Sequence, residues 1–232
     1  MLLLAARLLA GCTSDGDSTP APNNTLAEIS IIAANDAATT VTRASVVNNN
    51  TDLQGKELRI DAYYHGTTTP YLSNAKLKYQ SSAWNFVDGS DAVLHYYWPI
   101  EGSQLTSPSI TVSSLDFVGF CPYTNPSYIS AITYAAGNPS FTVVNIPVDA
   151  TGQSSLQEFM YGVLTNQTYA TQTAAAGSKL PLQFHHPFAL VYLKVSRAHP
   201  HLRLNSVTFS GIYNNGTFTH TGSPQWTPSG VT

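Results

Sequence analysis

Between residues 70 and 148 the chain alternates short apolar runs with turn-forming residues. Gly, Pro, Asn or Ser stands between the runs, and no long stretch has helical periodicity. Many short strands at this spacing favour an antiparallel β-sandwich, so the sequence predicts an all-β fold. The candidate strands are Lys76–Tyr79, Trp84–Phe86, Val93–Trp98, Ile110–Val112, Leu115–Tyr123 and Phe141–Val148.

The composition agrees with a β-rich, exported protein. Of the 232 residues, 11% are aromatic and only 10% are charged. Aromatic and β-branched side chains suit a pleated, half-buried surface. The net charge is -3 and there is no basic run, so nucleic-acid binding has no electrostatic basis. No segment after residue 12 approaches the roughly 20 apolar residues that span a bilayer.

The N-terminus carries a candidate lipidation signal. An apolar run at residues 2–6 is followed by Leu8-Leu9-Ala10-Gly11-Cys12. Small residues before a single cysteine are typical of a bacterial lipoprotein signal, in which the cysteine is acylated after cleavage. The alternative is a buried helical turn with an incidental cysteine. Because only Arg7 is basic and the run is short, we expect the true start to lie upstream of Met1.

A candidate first strand lies between a linker and a segment with one isolated arginine. Residues 13–27 are small and polar, which predicts a flexible linker. Glu28-Ile29-Ser30-Ile31-Ile32 is the first candidate strand, and Arg43-Ala44 follows before an Asn-rich run. Arg43 is either an accessible target for a trypsin-like protease or an ordinary surface arginine. Leu58–Tyr64 alternates apolar and polar residues, which predicts a half-buried strand.

The second half of the chain predicts a domain boundary. Phe159–Leu164 fits a strand or one helical turn, and residues 165–178 form a polar loop. Leu180–Val195 predicts a strand buried on both sides in its second half. Leu204–Phe218 predicts a hairpin that turns at Asn214-Asn215-Gly216. About 50 residues are too few to bury a core, so we expect the chain to continue beyond Thr232.

These observations predict four regions. They are a lipoprotein signal at 1–12, a linker at 13–27, an N-terminal β-sandwich domain at 28–178 and the start of a second β-sandwich at 179–232.

The sequence gives little support to an enzyme. His185-His186 and His199-Pro200-His201 suggest metal ligands, but adjacent histidines in a strand point to opposite faces. No carboxylate or cysteine cluster accompanies them, and no nucleophile or phosphate-binding motif is present. Cys121 lies in an apolar run and is expected to be a buried thiol. We expect no catalytic site, metal or cofactor.

Several motifs together resemble the fimbrillin-like proteins of Bacteroidetes, the subunits of type V pili. The resemblance covers essentially the whole chain and depends on the order of the motifs more than on any one of them. In addition to the signal ending at Cys12, the motifs are Thr42-Arg43-Ala44, Tyr97-Trp98-Pro99, Asp116–Tyr123, Phe159-Met160-Tyr161-Gly162 and Phe184–Val195. The chain departs from the family pattern at His186-Pro187, where a small residue more often follows the histidine.

The resemblance implies transthyretin-like β-sandwich domains and a route of assembly. In this family a lipoprotein precursor reaches the outer membrane, and a trypsin-like protease then cuts after an arginine and releases the first strand. Anchor subunits keep their lipid. Carried over, Cys12 is the lipidation site, Arg43-Ala44 the scissile bond, and Glu28, Ile29, Ile31 and Ile32 belong to the displaced strand. The implied partners are other pilin subunits, which exchange strands, and the outer membrane, and the implied location is the cell surface.

A binding function is the alternative. A surface glycan-binding lipoprotein or a pilus-tip adhesin would stack exposed aromatic rings on sugars of a host or bacterial surface. Some of these rings are expected to face the core instead, because neighbouring strand residues point to opposite faces. The candidates are Tyr63, Tyr64, Tyr96, Tyr97, Trp84 and Trp226.

Overall fold

The computed structural model describes residues 27–35, 47, 49–106, 109–135, 137–146, 157–188, 205–208 and 210–231. This part of the chain is mostly β-strand and its sheets are mainly antiparallel, so the prediction of an all-β, sandwich-like fold is confirmed. The elements within it are β1 Ile31–Asn35, α1 Asn50–Gln54, β2 Glu57–Tyr64, β3 Pro70–Gln80, β4 Ala83–Val87, β5 Gln104–Thr106, β6 Ser109–Thr111, β7 Leu115–Cys121, β8 Ile129–Ala135, β9 Asn138–Val143, β10 Met160–Gln167, α2 Tyr169–Ala174, a 3-10 helix Ala176–Ser178, β11 Leu180–Phe184, β12 Tyr213–His220 and β13 Pro224–Val231.

A five-stranded antiparallel sheet forms the middle of the molecule. Its strand order is β10-β7-β2-β3-β4. All seven residues of β7 are buried, and their side chains alternate between two apolar clusters. Phe117 and Cys121 belong to the first cluster, and Val118 and Phe120 to the second. The central sheet therefore contributes to a core on each of its faces.

The two cores are covered by different layers. The first cluster is completed by β1, β11 and Leu53 of α1. The second is completed by a four-stranded sheet with the order β13-β12-β9-β8, in which Phe141 and Phe218 are fully buried. β2 follows its predicted alternation, since Leu58, Ile60 and Ala62 are buried in the first cluster.

The turn predicted at Asn214–Gly216 is wrong. These residues lie inside β12, which pairs with β13 on one side and β9 on the other. The reversal occurs at residues 221–223, where Gly222 has a φ of 77°. Gly216 instead permits close strand packing, because a Cβ there would lie 2.9 Å from the Thr227 carbonyl oxygen.

The prediction of a polar loop at residues 165–178 is wrong in part, because β10 continues to Gln167 and a short helix, α2, follows it. α2 begins at a capping box, in which the side chains and backbone N–H groups of Thr168 and Thr171 bond reciprocally. Such a box satisfies two backbone donors at a helix start. The predicted domain boundary falls at the end of the 3-10 helix. Beyond it, β11 packs into the first cluster and β12 pairs with β9.

The candidate strand at Val93–Trp98 is wrong as a continuous strand. It makes isolated bridges at Val93, to Val87 of β4, and at Tyr97, to Glu28. Because its backbone bonds to β4 at one end and to the residues before β1 at the other, it joins no single regular ladder. No helix among the described residues has the length and apolarity needed to cross a membrane.

Candidate functional site

The residues predicted to form a displaced strand lie in the core of the molecule. Cys12, Arg43 and Ala44 fall outside the described residues. Ile29 and Ile31 are each 1% exposed and belong to the first cluster, whereas Ile32 on the opposite face is 43% exposed. Alternation continues to Ala33 and Asn35, which are also buried. Residues 27–35, which we call the first segment, thus bury one face and expose most of the other.

The first segment is bound along its backbone by residues far away in the chain. Its beginning pairs with residues 96–98, through bonds from Ile29 N to Tyr96 O at 2.7 Å and from Trp98 N to Ala27 O at 2.8 Å. Its second part, β1, pairs in parallel with β11, with Ile31 opposite Leu180 and Asn35 opposite Phe184. Parallel pairing requires a long connection between the strands, and about 145 residues separate these two.

Two glycines provide the surface on which β11 lies. Gly119 of β7 and Gly162 of β10 are direct register partners in the central sheet. A Cβ at Gly119 would lie 2.7 Å from the Phe184 ring, and one at Gly162 would lie 2.6 Å from the Gln183 carbonyl oxygen. Side chains at either position would push β11 away from the sheet. The two glycines therefore let β11 lie where it can pair with β1 and form one wall of the groove that the first segment fills.

A single buried glutamine completes the backbone pairing. Gln172 of α2 donates from Nε2 to Glu28 O at 2.9 Å. Its Oε1 accepts from Ser30 N at 3.0 Å and from the indole Nε1 of Trp98 at 3.0 Å. The sequence predicts a polar loop at this residue, and no binding role. The only local signal was the Thr168 and Thr171 pair that starts its helix, and that pair does not indicate what the glutamine binds.

The end of the first segment contacts residues that follow Arg43 in the sequence. Asn35 donates from Nδ2 to Val47 O at 2.8 Å and from its backbone N to Asn50 Oδ1 at 2.7 Å. Val47 is held independently, because its N–H donates to Glu158 and its carbonyl accepts from His186 Nε2. Glu158 and His186 pair at 2.6 Å. Residues 35 and 47 are therefore adjacent, although eleven residues separate them.

A second polar cluster joins the two sheets. Asp116 is fully buried and accepts hydrogen bonds from Asn166 N at 2.7 Å and from the Tyr134 hydroxyl at 2.9 Å. His65 Nδ1 lies 2.7 Å from the same carboxylate. Burial, together with the bond to Asp116, raises the pKa of the Tyr134 phenol. The cluster ties β8 and the bulge of β10 to β7, which is a structural role.

The predicted histidine pair does not converge on one site. The His185 ring lies 5.9 Å from that of Tyr161, whereas His186 pairs with Glu158. His199 and His201 fall outside the described residues. Among the residues that are described, no three His, Cys, Asp or Glu side chains are grouped as metal ligands.

The candidate sugar-stacking aromatics divide between core and surface. Trp84 is buried in the first cluster, and Tyr63 stacks on Tyr134 with ring centroids 3.7 Å apart. Tyr64 and Tyr96 are partly buried against the same cluster as Trp84. Tyr97 and Trp226 are exposed by 37% and 40%. Trp226 borders an apolar cleft of about 300 Å³, which Phe188 and Tyr213 also line.

Comparison with known proteins found no matching family model, curated protein or solved structure. The fold and the site together define an all-β protein whose first segment occupies a groove built by later parts of the chain.

Proposed function

We propose that this protein is a structural subunit of bacterial fimbriae, exported as a lipoprotein through Cys12 and assembled by β-strand complementation to support cell adhesion. Its partners are other pilin subunits and, through the lipid, the outer membrane. In strand complementation an extended segment of one subunit adds to an open sheet edge or groove of another.

The observation that carries the proposal is the placement of the first segment. Its partners in the groove, which are residues 96–98, Gln172 and β11, all lie after residue 47. One cut between Arg43 and Ala44 would therefore separate the segment covalently from every element that binds it. Val47 would keep its bonds to Glu158 and His186, so the new N-terminus would stay attached to the sandwich.

Processing and assembly can be tested in a Bacteroidetes host that expresses the full chain. We expect shed protein to begin at Ala44 and to form ladders of SDS-resistant oligomers. Arg43→Ala should abolish both, and Cys12→Ser should prevent delivery to the outer membrane. Lys56→Ala, a change to another basic residue at a turn, is the matched control and should assemble normally. A shed N-terminus other than Ala44, or ladders that persist in Arg43→Ala, would contradict the proposal.

The second candidate function is glycan binding at the cell surface, and the apolar cleft beside Trp226 favours it. Exposed aromatic rings beside a cleft suit stacking on sugar rings. If this function holds, soluble monomer should be retained on a glycan column, and Trp226→Ala should abolish that retention. Tyr169→Ala removes a ring that is 50% exposed and does not line the cleft, and it is the control. Monomer that passes the column unretarded excludes this candidate for the glycans tested.

A further inference from the structure

Gln172 binds the first segment through main-chain atoms alone. Its amide donates to the carbonyl of Glu28 and accepts from the N–H of Ser30, and it contacts no side chain of the segment through these bonds. A side-chain amide presents one acceptor and two donors, the same groups that a neighbouring strand would offer. Gln172 therefore acts in place of a backbone unit.

The position of Gln172 extends the parallel ladder of β11 by one step. Ser30 O accepts from Leu180 N at 2.8 Å, which is the first backbone bond between the segment and β11. The two bonds to Gln172 come directly before it along the segment. Trp98 fixes the amide from the other side by donating its indole N–H to the same oxygen. Gln172 is 4% exposed, so these bonds are shielded from water.

We infer that Gln172 is a binding residue for any extended peptide that enters this groove, and that it recognises the peptide backbone independently of side-chain sequence. The inference depends on the proposed strand exchange, since it concerns which strands the groove accepts. Every residue except proline offers the N–H that Ser30 supplies. The groove can distinguish one peptide from another only at the inward side chains, where Ile29, Ile31 and Ala33 are buried. The ligand class is an extended strand parallel to β11, with aliphatic residues at the first two inward positions and a small one at the third.

The test uses the full chain with a site-specific protease sequence in place of residues 38–44. After cleavage, the released segment is separated from the protein in urea and the protein is returned to buffer. A fluorescent peptide of residues 25–36 is then added, and its Kd is measured by anisotropy. Gln172→Met keeps the side-chain length and removes the amide, so we expect binding about tenfold to a hundredfold weaker. Gln104→Met, at an exposed glutamine of β5, is the matched control and should bind like the parent.

A second peptide isolates the backbone bond. An ester in place of the amide at Ser30 removes the N–H and keeps the shape of the chain. We expect it to bind the parent protein about tenfold more weakly and the Gln172→Met protein almost as well as the amide peptide does. Gln172→Glu keeps an acceptor, so the ester should still weaken binding to it. A peptide with Ile32→Thr, altered on the exposed face, should show the same dependence on Gln172.

The outcomes separate this inference from the proposed function. If the cleaved parent takes up no peptide, strand exchange itself is refuted. If it takes up peptide, but the ester raises the Kd by the same factor in the parent and in Gln172→Met, the role of Gln172 is refuted while strand exchange stands. In the uncleaved chain, Gln172→Met should also speed hydrogen exchange at the Ser30 amide more than at Ile29, whose N–H bonds to Tyr96 O. Equal acceleration at both amides would overturn the inference even if peptide uptake failed.

Discussion

β1 and β7 are both buried in the first cluster, but they are held in different ways. β7 pairs with antiparallel strands on both sides, and its side chains fill cores on both faces. β1 pairs in parallel with β11 and buries only one face, leaving Ile32 exposed. β7 can be removed only by dismantling both cores, whereas β1 contributes to one.

The proposed strand exchange requires that β1 can leave while β7 stays in place. β1 is bound by main-chain bonds and by a narrow set of inward side chains, and Gln172 binds the residues before it. If the proposal holds, a strand of similar pattern should be able to replace it, because main-chain bonds do not depend on the side-chain sequence. The two strands should therefore respond differently to substitution.

The largest effect is expected in β7. Phe117→Ala should lower the free energy of unfolding by about 3–5 kcal/mol, because it leaves a cavity in the middle of the first core. Urea unfolding monitored by tryptophan fluorescence should remain a single transition with a lower midpoint. A loss below 1 kcal/mol would show that β7 is not integral to the fold.

In β1 the effect should be smaller and local. Ile31→Ala should lower the opening free energy of the first segment by about 2–4 kcal/mol. Hydrogen exchange should accelerate at amides of residues 29–35 much more than at those of β7. Ile32→Ala, on the exposed face, should change stability by less than about 0.5 kcal/mol. Equal acceleration in β1 and β7 would mean that the two strands unfold as one unit.

The glycine surface below β11 gives the third test. Gly162→Ala places a methyl group against the Gln183 carbonyl, so β11 must shift, at a cost of about 1–3 kcal/mol. Because β1 depends on β11, amides of the first segment should also exchange faster. Gly89→Ala, where a Cβ has no neighbour within 4 Å, is the control and should stay within about 0.5 kcal/mol. An unchanged first segment in Gly162→Ala would show that β1 does not need β11 in place.

The smallest effect concerns alkaline pH and the C-terminal end of β7. Burial raises the pKa of the Cys121 thiol from 9.0 to about 12. The folded state keeps the thiol neutral while the unfolded state ionises, so this contribution to stability is complete below pH 9 and is lost as pH rises towards 12. Between pH 8 and pH 10 the loss should be about 1.4 kcal/mol.

The Cys121 contribution is measured by urea unfolding at both pH values. Cys121→Ala should remove that part of the pH dependence. Burial also raises the pKa of the Tyr128 and Tyr134 phenols, and the stability that is lost as these phenols ionise in the unfolded state is common to the parent and the variant. A parent and a variant with the same slope would contradict burial of the thiol in β7.

The alternation of side chains was predictable because it is a local property. Leu58, Ile60 and Ala62 alternate in the sequence and are buried in β2, and Ile29 and Ile31 of the first segment are buried in the same way. The all-β fold follows from such runs and their turns. Turn residues were less reliable, since Asn214–Gly216 looks like a hairpin turn but lies within β12.

Pairing was not predictable in the same way. Ile31 lies opposite Leu180 because distant segments share a core, and no spacing in the sequence encodes that register. The surface on which β11 lies exists only because β7 and β10 place Gly119 and Gly162 side by side.

Residue types and their spacing were enough to predict that the chain forms short strands. This property depends on side-chain shape and on a period of two, which are fixed within a few residues. That β7 is enclosed on both faces, that β1 lies parallel to β11, and that Gln172 binds the backbone of the first segment became visible only in the folded protein. Each of these features depends on contacts between residues far apart in the chain, which the folded core alone brings within hydrogen-bonding distance.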